Sequence, residues 1–287
     1  MKKNVPKSRF LELADGNSWA ISAKDDVSSR IAQLLTETMQ LDSSYRKSQH
    51  SLIIKNGCSL AGQRSSGKSY PAIYSAKVLT NTDICQISST QNNDELAIQL
   101  MKISLVVCRE VEAHGGVLIH GALAEKNGAG VILAGPGDVG KTTASERLTL
   151  PWKSLSDDCT LIVRDRKGSY HAHPWPTWST FMFGGTGGSW NVQYSVPLKA
   201  IFVLKQNPTD QAEPLGQGQA ICMLNETTTQ AWHVSENDLD EQKKQAMRLQ
   251  RFCNLCELIK KIPAYLLHIS KYGPFWKEID RFLAPLN

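Results

Sequence analysis

The sequence predicts an α/β protein with a mixed sheet and a smaller N-terminal α+β portion. Three observations carry this expectation. Apolar segments at Val117-Leu118-Ile119 and Gly130–Ala134 flank a turn at Asn127-Gly128. A glycine-rich loop leaves the second of these segments and runs into a helical pattern over Lys141–Leu148. Upstream, strand-like segments alternate with amphipathic helical ones.

Residues 9–21 alternate in polarity as a hairpin, with Asp15-Gly16 as the turn. Val27–Met39 keeps helical spacing through Val27, Ile31, Leu34, Leu35 and Met39. Ser51–Lys55 and Cys58–Ala61 flank Asn56-Gly57 and predict a second hairpin. Gln63–Tyr70 is a polar loop. Glu95–Ala113 is a long helix closed by Gly115-Gly116.

Beyond the Gly135 loop and its helix, Thr160–Val163 and Ser169–His173 form a hairpin around Asp165-Arg166-Lys167-Gly168. Ala200–Leu204 is a buried strand. Ser235/Glu236–Lys261 is expected as one long helix, Ala264–Ile269 as a strand and Phe275–Phe282 as the closing helix. The boundary between the two parts is placed near Gly115. Residues 1–115 are an accessory region, open to a role in substrate recognition, and residues 116–287 carry the phosphate-binding loop.

The chain has 287 residues, 41% of them hydrophobic and 21% charged, which excludes collagen-like, coiled-coil and disordered classes. Lys and Arg exceed Asp and Glu by 5, and the basic residues are scattered, so nucleic acid is not the expected partner. No apolar run approaches the ~20 residues of a membrane span, and no signal-peptide core follows Met1-Lys2-Lys3. The seven cysteines are odd in number and widely spread, so they read as buried apolar residues in a reducing cytoplasm rather than a disulfide framework.

Two segments fit G-x-x-x-x-G-K-[ST]: Gly62–Ser69 and Gly135–Thr142. The first follows a hairpin arm and has Pro71 where a helix would begin, so it reads as a basic loop. The second, Gly135-Pro136-Gly137-Asp138-Val139-Gly140-Lys141-Thr142-Thr143, follows an apolar strand and opens a helix. Its glycines let successive amides face one anion, Lys141 spans terminal phosphates, and the Thr142 hydroxyl can ligate Mg²⁺.

Asp157-Asp158 follows at a short distance. The preceding segment is only half apolar, which points away from a motor or switch ATPase. Beside a phosphate site, one carboxylate can accept a proton from an attacking hydroxyl and the other can hold Mg²⁺; otherwise the pair is a polar turn before a strand. His120-Gly121 ends the strand before the loop strand, and His120 is either a site residue or a satisfied core histidine.

His171 and His173 share a strand face without enough partners for a metal. Cys253-x-x-Cys256 reads as core packing. In His173-Pro174-Trp175-Pro176-Thr177-Trp178-Ser179 the two prolines are expected to preclude regular secondary structure, leaving a substrate-facing loop or a tryptophan-anchored turn. Gly184–Gly188 reads as a closing lid or a surface loop.

Ile119-His120-Gly121, Gly135–Thr142 and Leu155-Ser156-Asp157-Asp158, in that order and spacing, resemble the catalytic domain of HPr kinase and its relatives. Val117–Gln206, with its Pro-Trp-Pro stretch, is more closely similar to the HPr-kinase-like protein of the SynChlorMet peptide-modification cassette. The resemblance implies a phosphoenolpyruvate-carboxykinase/HPr-kinase-like P-loop fold. It implies an ATP- and Mg²⁺-dependent phosphotransferase acting on a Ser, or another, hydroxyl of a ribosomally made peptide or small protein.

Carried over by position, Asp157 is the proton acceptor, His120 and Lys141 join it in catalysis, and Thr142 and Asp158 hold the metal. Homo-oligomers occur among such relatives, and that option stays open here. Asp138 within the loop departs from the pattern, and no downstream segment with the family's metal-binding Glu is found between Trp175 and Val196. A kinase for a small-molecule hydroxyl and a non-catalytic nucleotide-binding regulator are the two alternatives.

Overall fold

A computed structural model describes residues 8–43, 46–57, 75–79, 81–178, 188–236 and 239–283. The chain is α/β with two mixed sheets. It divides into two compact units, one of Met1–Arg109 with Trp178–Gln193, the other of Glu110–Thr177 with Tyr194–Asn287.

The first unit contains β1 (Arg9–Glu12), β2 (Ser18–Ala23), α1 (Asp26–Thr38), β3 (Asp42–Ser43), β4 (His50–Asn56), β5 (Ser75–Leu79), β6 (Thr82–Ile87) and most of α2 (Asn93–Ala113). β1 and β2 are the expected hairpin. α1 begins with a capping box, in which Asp25 accepts from the Ser28 amide and the Ser28 hydroxyl accepts from the Asp25 amide. Its apolar stripe of Ile31, Ala32 and Leu35 is buried.

The strand order is β3-β1-β2-β4-β6-β5. β4 lies parallel to both β2 and β6, so both of its edges are occupied. This corrects the hairpin expected at Asn56-Gly57: a parallel neighbour has taken the edge the second arm would need. Residues 58–61, the polar loop 63–70 and the decoy motif Gly62–Ser69 lie outside the described residues. Trp178 and Trp190 belong to this unit: the Trp178 indole donates to Ser104 Oγ at 3.2 Å, and the Trp190 amide donates to the Thr38 carbonyl at 2.7 Å.

The second unit continues with β7 (Val117–Lys126), β8 (Ala129–Ala134), α3 (Lys141–Arg147), β9 (Lys153–Ser156), β10 (Cys159–Arg164), β11 (Tyr170–Trp175), β12 (Val196–Gln206), β13 (Gln211–Pro214), α4 (Gln217–Glu236), α5 (Glu241–Ile259), β14 (Ala264–Ile269) and α6 (Trp276–Leu283). β7 and β8 are a hairpin turned by Asn127 and Gly128, both with positive φ. The strand order is β11-β10-β7-β8-β12-β14-β13, with β9 also on β7 and β11 also touching β12. β8, β12 and β14 run parallel, so their C-terminal ends share one edge.

Alternate residues of β8 feed two cores. Ile132 and Ala134 join Ala220, Leu224, Leu255 and Leu258 from α4 and α5; Val131 and Leu133 join Ala144 of α3, Ile279 of α6 and Phe275 just before α6. A buried ion pair, Arg251 Nε to Glu112 Oε2 at 3.3 Å, ties α5 to the segment entering β7. Arg251 also lies over the Trp232 ring at 4.8 Å, and Asn254 donates to the Glu112 and Gly116 carbonyls.

Three expectations change here. Ser235 and Glu236 end α4, and α5 starts afresh on the Asp240 N-cap, which accepts from the Lys243 amide at 2.9 Å. The proline-rich segment stays in strand through Pro174 and Trp175: the other edge of β11 is paired only at His171 and Ala172, so the missing amide of Pro174 breaks no second ladder. Cysteines 222 and 253 are exposed, and only Cys85 and Cys108 are fully buried among the described ones, so Cys253 is not core packing.

Candidate active site

Gly135 leaves β8 at the shared C-terminal edge of the parallel strands. Asp138 and Gly140 take φ of 61° and 102°, the left-handed region that Asp tolerates and Gly adopts freely. Pro136, Gly137, Asp138, Thr142 and Thr143 face solvent, while Val139 is half-buried. Gln206, at the end of β12, donates to the carbonyls of Asp138 and Val139 at 3.3 and 3.4 Å and holds the loop.

α3 has only seven residues, so the loop amides and Lys141 supply most of the positive charge here. The Lys141 side chain is 4% exposed. Its ammonium donates to the Gly135 and Pro136 carbonyls at 3.0 and 2.9 Å. Burial lowers its pKa, against Asp158, Cys159 and Asp138, which raise it.

The acid pair has a structural explanation. β9 and β10 both run antiparallel along one edge of β7: Ser156 opposes Leu123 and Cys159 opposes His120, and the one register shift of β9 falls on the far side of Ser156, between Leu123 and Ala124. Asp157 and Asp158 are the two residues left between, level with Ala122 and Gly121. On the opposite edge of β7, Gly121 pairs with Ala134, the last residue before the loop. A break in one strand therefore sets two carboxylates beside the start of the glycine-rich loop. Ser156 and Thr160 secure its ends: Ser156 Oγ accepts from the Leu123 amide and Thr160 Oγ1 donates to the Gly121 carbonyl.

The two carboxylates go to different partners. Asp158 Oδ1 lies 2.6 Å from His120 Nε2 and 4.0 Å from Lys141 Nζ. The other nitrogen of His120, Nδ1, is 2.9 Å from Gln230 Oε1 on α4. Both neighbours are acceptors, so His120 satisfies both contacts with a proton on each ring nitrogen, Nδ1–H donating to Gln230 and Nε2–H to Asp158. Burial works to raise the Asp158 pKa, but the His120 hydrogen bond, the His120 charge and Lys141 outweigh it, and the net shift is downward. Asp157 Oδ1 instead accepts from Thr177 Oγ1 at 2.9 Å. Cys159 follows the pair as the first residue of β10, and its thiol pKa is pushed up by burial and by both carboxylates.

Of the residues picked from the sequence, His120, Lys141 and Asp158 converge directly, and Asp157 is adjacent with its own donor. Thr142 and Thr143 are on the exposed first turn of α3. Sequence reasoning missed Gln206, Thr177 and Gln230. Thr177 carried a signal, as the polar residue between two anchoring tryptophans; Gln230, 110 residues from His120, carried none. Trp175 and Trp178 are buried, as a tryptophan-anchored turn requires. His171 pairs with Asp165 at 3.2 Å, and His173 is buried. Residues 184–187 of the glycine-rich stretch lie outside the described residues.

Among the described residues, no three His, Cys, Asp or Glu cluster as a metal cage. The Thr142 hydroxyl and the Asp158 carboxylate are hard oxygen donors suited to Mg²⁺, which commonly binds one or two carboxylates together with substrate phosphates. Among the same residues, no helix is long and apolar enough to cross a membrane.

Residues 83–284 match the family model described as SynChlorMet cassette protein ScmC. No curated protein matches the chain.

Proposed function

The chain belongs to the ScmC family of SynChlorMet cassette proteins, and on that premise we propose that it is a phosphotransferase with an HPr-kinase-like P-loop fold. It uses ATP and Mg²⁺ to phosphorylate a Ser, or another, hydroxyl of a ribosomally made peptide or small protein. The cassette association favours a peptide acceptor. One observation carries the reading: Asp158 meets both His120 and Lys141 at the point where the phosphate loop leaves β8.

Lys141 and the loop amides hold the terminal phosphates. Lys141 now rests on two loop carbonyls, which a phosphate oxygen can replace as its partners. Thr142 and Asp158 would hold Mg²⁺, which would supply charge neutralisation on the phosphates when bound. His120 fixes the Asp158 carboxylate, and Gln230 fixes His120. Asp157, held by Thr177, accepts the proton of the acceptor hydroxyl. The new bond joins the acceptor oxygen to the γ-phosphorus, the bond from that phosphorus to the β-phosphate oxygen breaks, and ADP leaves.

Asp157→Asn tests the assignment because it keeps the shape of the side chain and removes its basicity. Transfer is lost and nucleotide affinity is kept. Transfer at the wild-type rate excludes Asp157 as the proton acceptor.

A further inference from the structure

The sequence shows no base-reading motif, and the phosphate loop leaves the nucleoside end of the donor unassigned. A cavity of about 790 Å³ opens beside the loop, lined on one side by Val139 and Thr143 and on the other by Pro208, Ile269 and Tyr272. Ligand cavities commonly hold ~300–1,000 Å³. This one lies at the C-terminal ends of β8, β12 and β14, where open α/β sheets bind ligands. A molecule whose phosphates occupy the loop has this cavity as its immediate continuation.

The far wall is built in advance. Arg147 on α3 donates to the Ser270 and Gly273 carbonyls, and Asp210 accepts from the Ser270 amide at 2.6 Å, so the turn after β14 is pinned from two sides. That turn presents Tyr272, a large aromatic residue left 84% exposed. The Lys271 ammonium lies 5.2 Å from its ring centroid. An aromatic ring held in the open on a pinned turn, beside apolar walls from Ile269, Pro208 and Val139, suits a flat heterocycle better than a flexible peptide.

We propose that this cavity binds the base and ribose of the donor nucleoside triphosphate, with the base stacked on Tyr272. The assignment rests on the reading of Gly135–Thr142 as the phosphate site, so the test separates the two. Binding of ATP and of inorganic tripolyphosphate, each with Mg²⁺, is measured by calorimetry on the full chain and on Tyr272→Ala and Tyr272→Phe. Tyr272 is exposed, and unchanged thermal midpoints verify that the variants fold.

The wild-type protein is expected to bind ATP more tightly than tripolyphosphate. Tyr272→Ala weakens ATP about tenfold, the scale of one base–aromatic stack, and leaves tripolyphosphate unchanged; Tyr272→Phe retains ATP. Equal wild-type affinities for the two ligands, or an ATP preference that survives Tyr272→Ala, overturn the cavity assignment and leave the phosphate loop standing. If the wild-type chain binds neither ligand, the phosphate-site reading fails and this assignment falls with it.

Discussion

His120 Nε2 and Asp158 Oδ1 meet at 2.6 Å although 38 residues separate them in the chain. Their meeting follows from strand register: His120 on β7 opposes Cys159 on β10, and Asp158 is the last residue of the break before β10. With Gln230 behind His120 and Lys141 4.0 Å ahead of Asp158, a chain of polar groups runs from α4 to the glycine-rich loop.

Asp158 should make stability depend on pH in a defined direction. Its pKa is lower in the folded protein than the ordinary carboxylate value. Its ionised form therefore stabilises the fold above that ordinary value, and the contribution is lost as pH falls through the lowered one. In urea unfolding, the gap between wild type and Asp158→Asn is expected to be full at neutral pH and to close under acid. A gap independent of pH contradicts the ionised pair.

Thr177 donates one hydrogen bond of 2.9 Å to Asp157, and under the proposed mechanism that bond positions the proton acceptor. Thr177→Val should lower kcat several-fold, the effect of losing about 1 kcal/mol, with KM for ATP unchanged. Thr177→Ser, which keeps the hydroxyl, should restore kcat. Equal losses in both variants would mean that packing, not the hydrogen bond, matters.

Much of this arrangement was legible in the sequence because it is local. The hairpin turned by Asn127-Gly128, the loop from Gly135 to Lys141 and the helix of α1 each follow from residues close together. What was not legible depends on distant partners. The Asn56-Gly57 hairpin signal was overridden because β4 gains two parallel neighbours. Asp157-Asp158 was visible as a pair, but its division of partners rests on the register of β9 and β10 against β7. Gln230 shows no pattern at all, since only the packing of α4 on the sheet brings it to His120.

The Arg251–Glu112 pair should matter for folding rather than for chemistry. Both side chains are almost fully buried, and Asn254 also bonds the Glu112 backbone. Breaking a buried pair by removing one partner costs about 3–5 kcal/mol. Arg251→Met is expected to lower the unfolding free energy on that scale, while the fraction still folded binds nucleotide normally. Denaturant titration with a parallel binding assay measures both.

Gly116 precedes β7 where a side chain has no room. An added Cβ would lie 2.5 Å from the Ile162 carbonyl oxygen and 2.4 Å from Val111 Cγ1. Gly116→Ala must shift the start of β7 away from β10, at a cost of about 1–3 kcal/mol for overpacking. Thermal unfolding reads that loss, and a midpoint equal to wild type would show that the two strands are not held this tightly.

In the proposed reaction, residues 135–142 and the Asp157–Asp158 break together transfer a phosphoryl group to a peptide hydroxyl. Mass spectrometry after incubation with Mg²⁺-ATP and the short peptides encoded beside its gene tests it most directly, with Lys141→Ala in parallel. The expected result is one added phosphoryl group on a Ser, produced by the wild-type protein and absent with Lys141→Ala. Unmodified peptide from a wild-type chain that binds nucleotide, or equal phosphorylation by Lys141→Ala, would contradict the account.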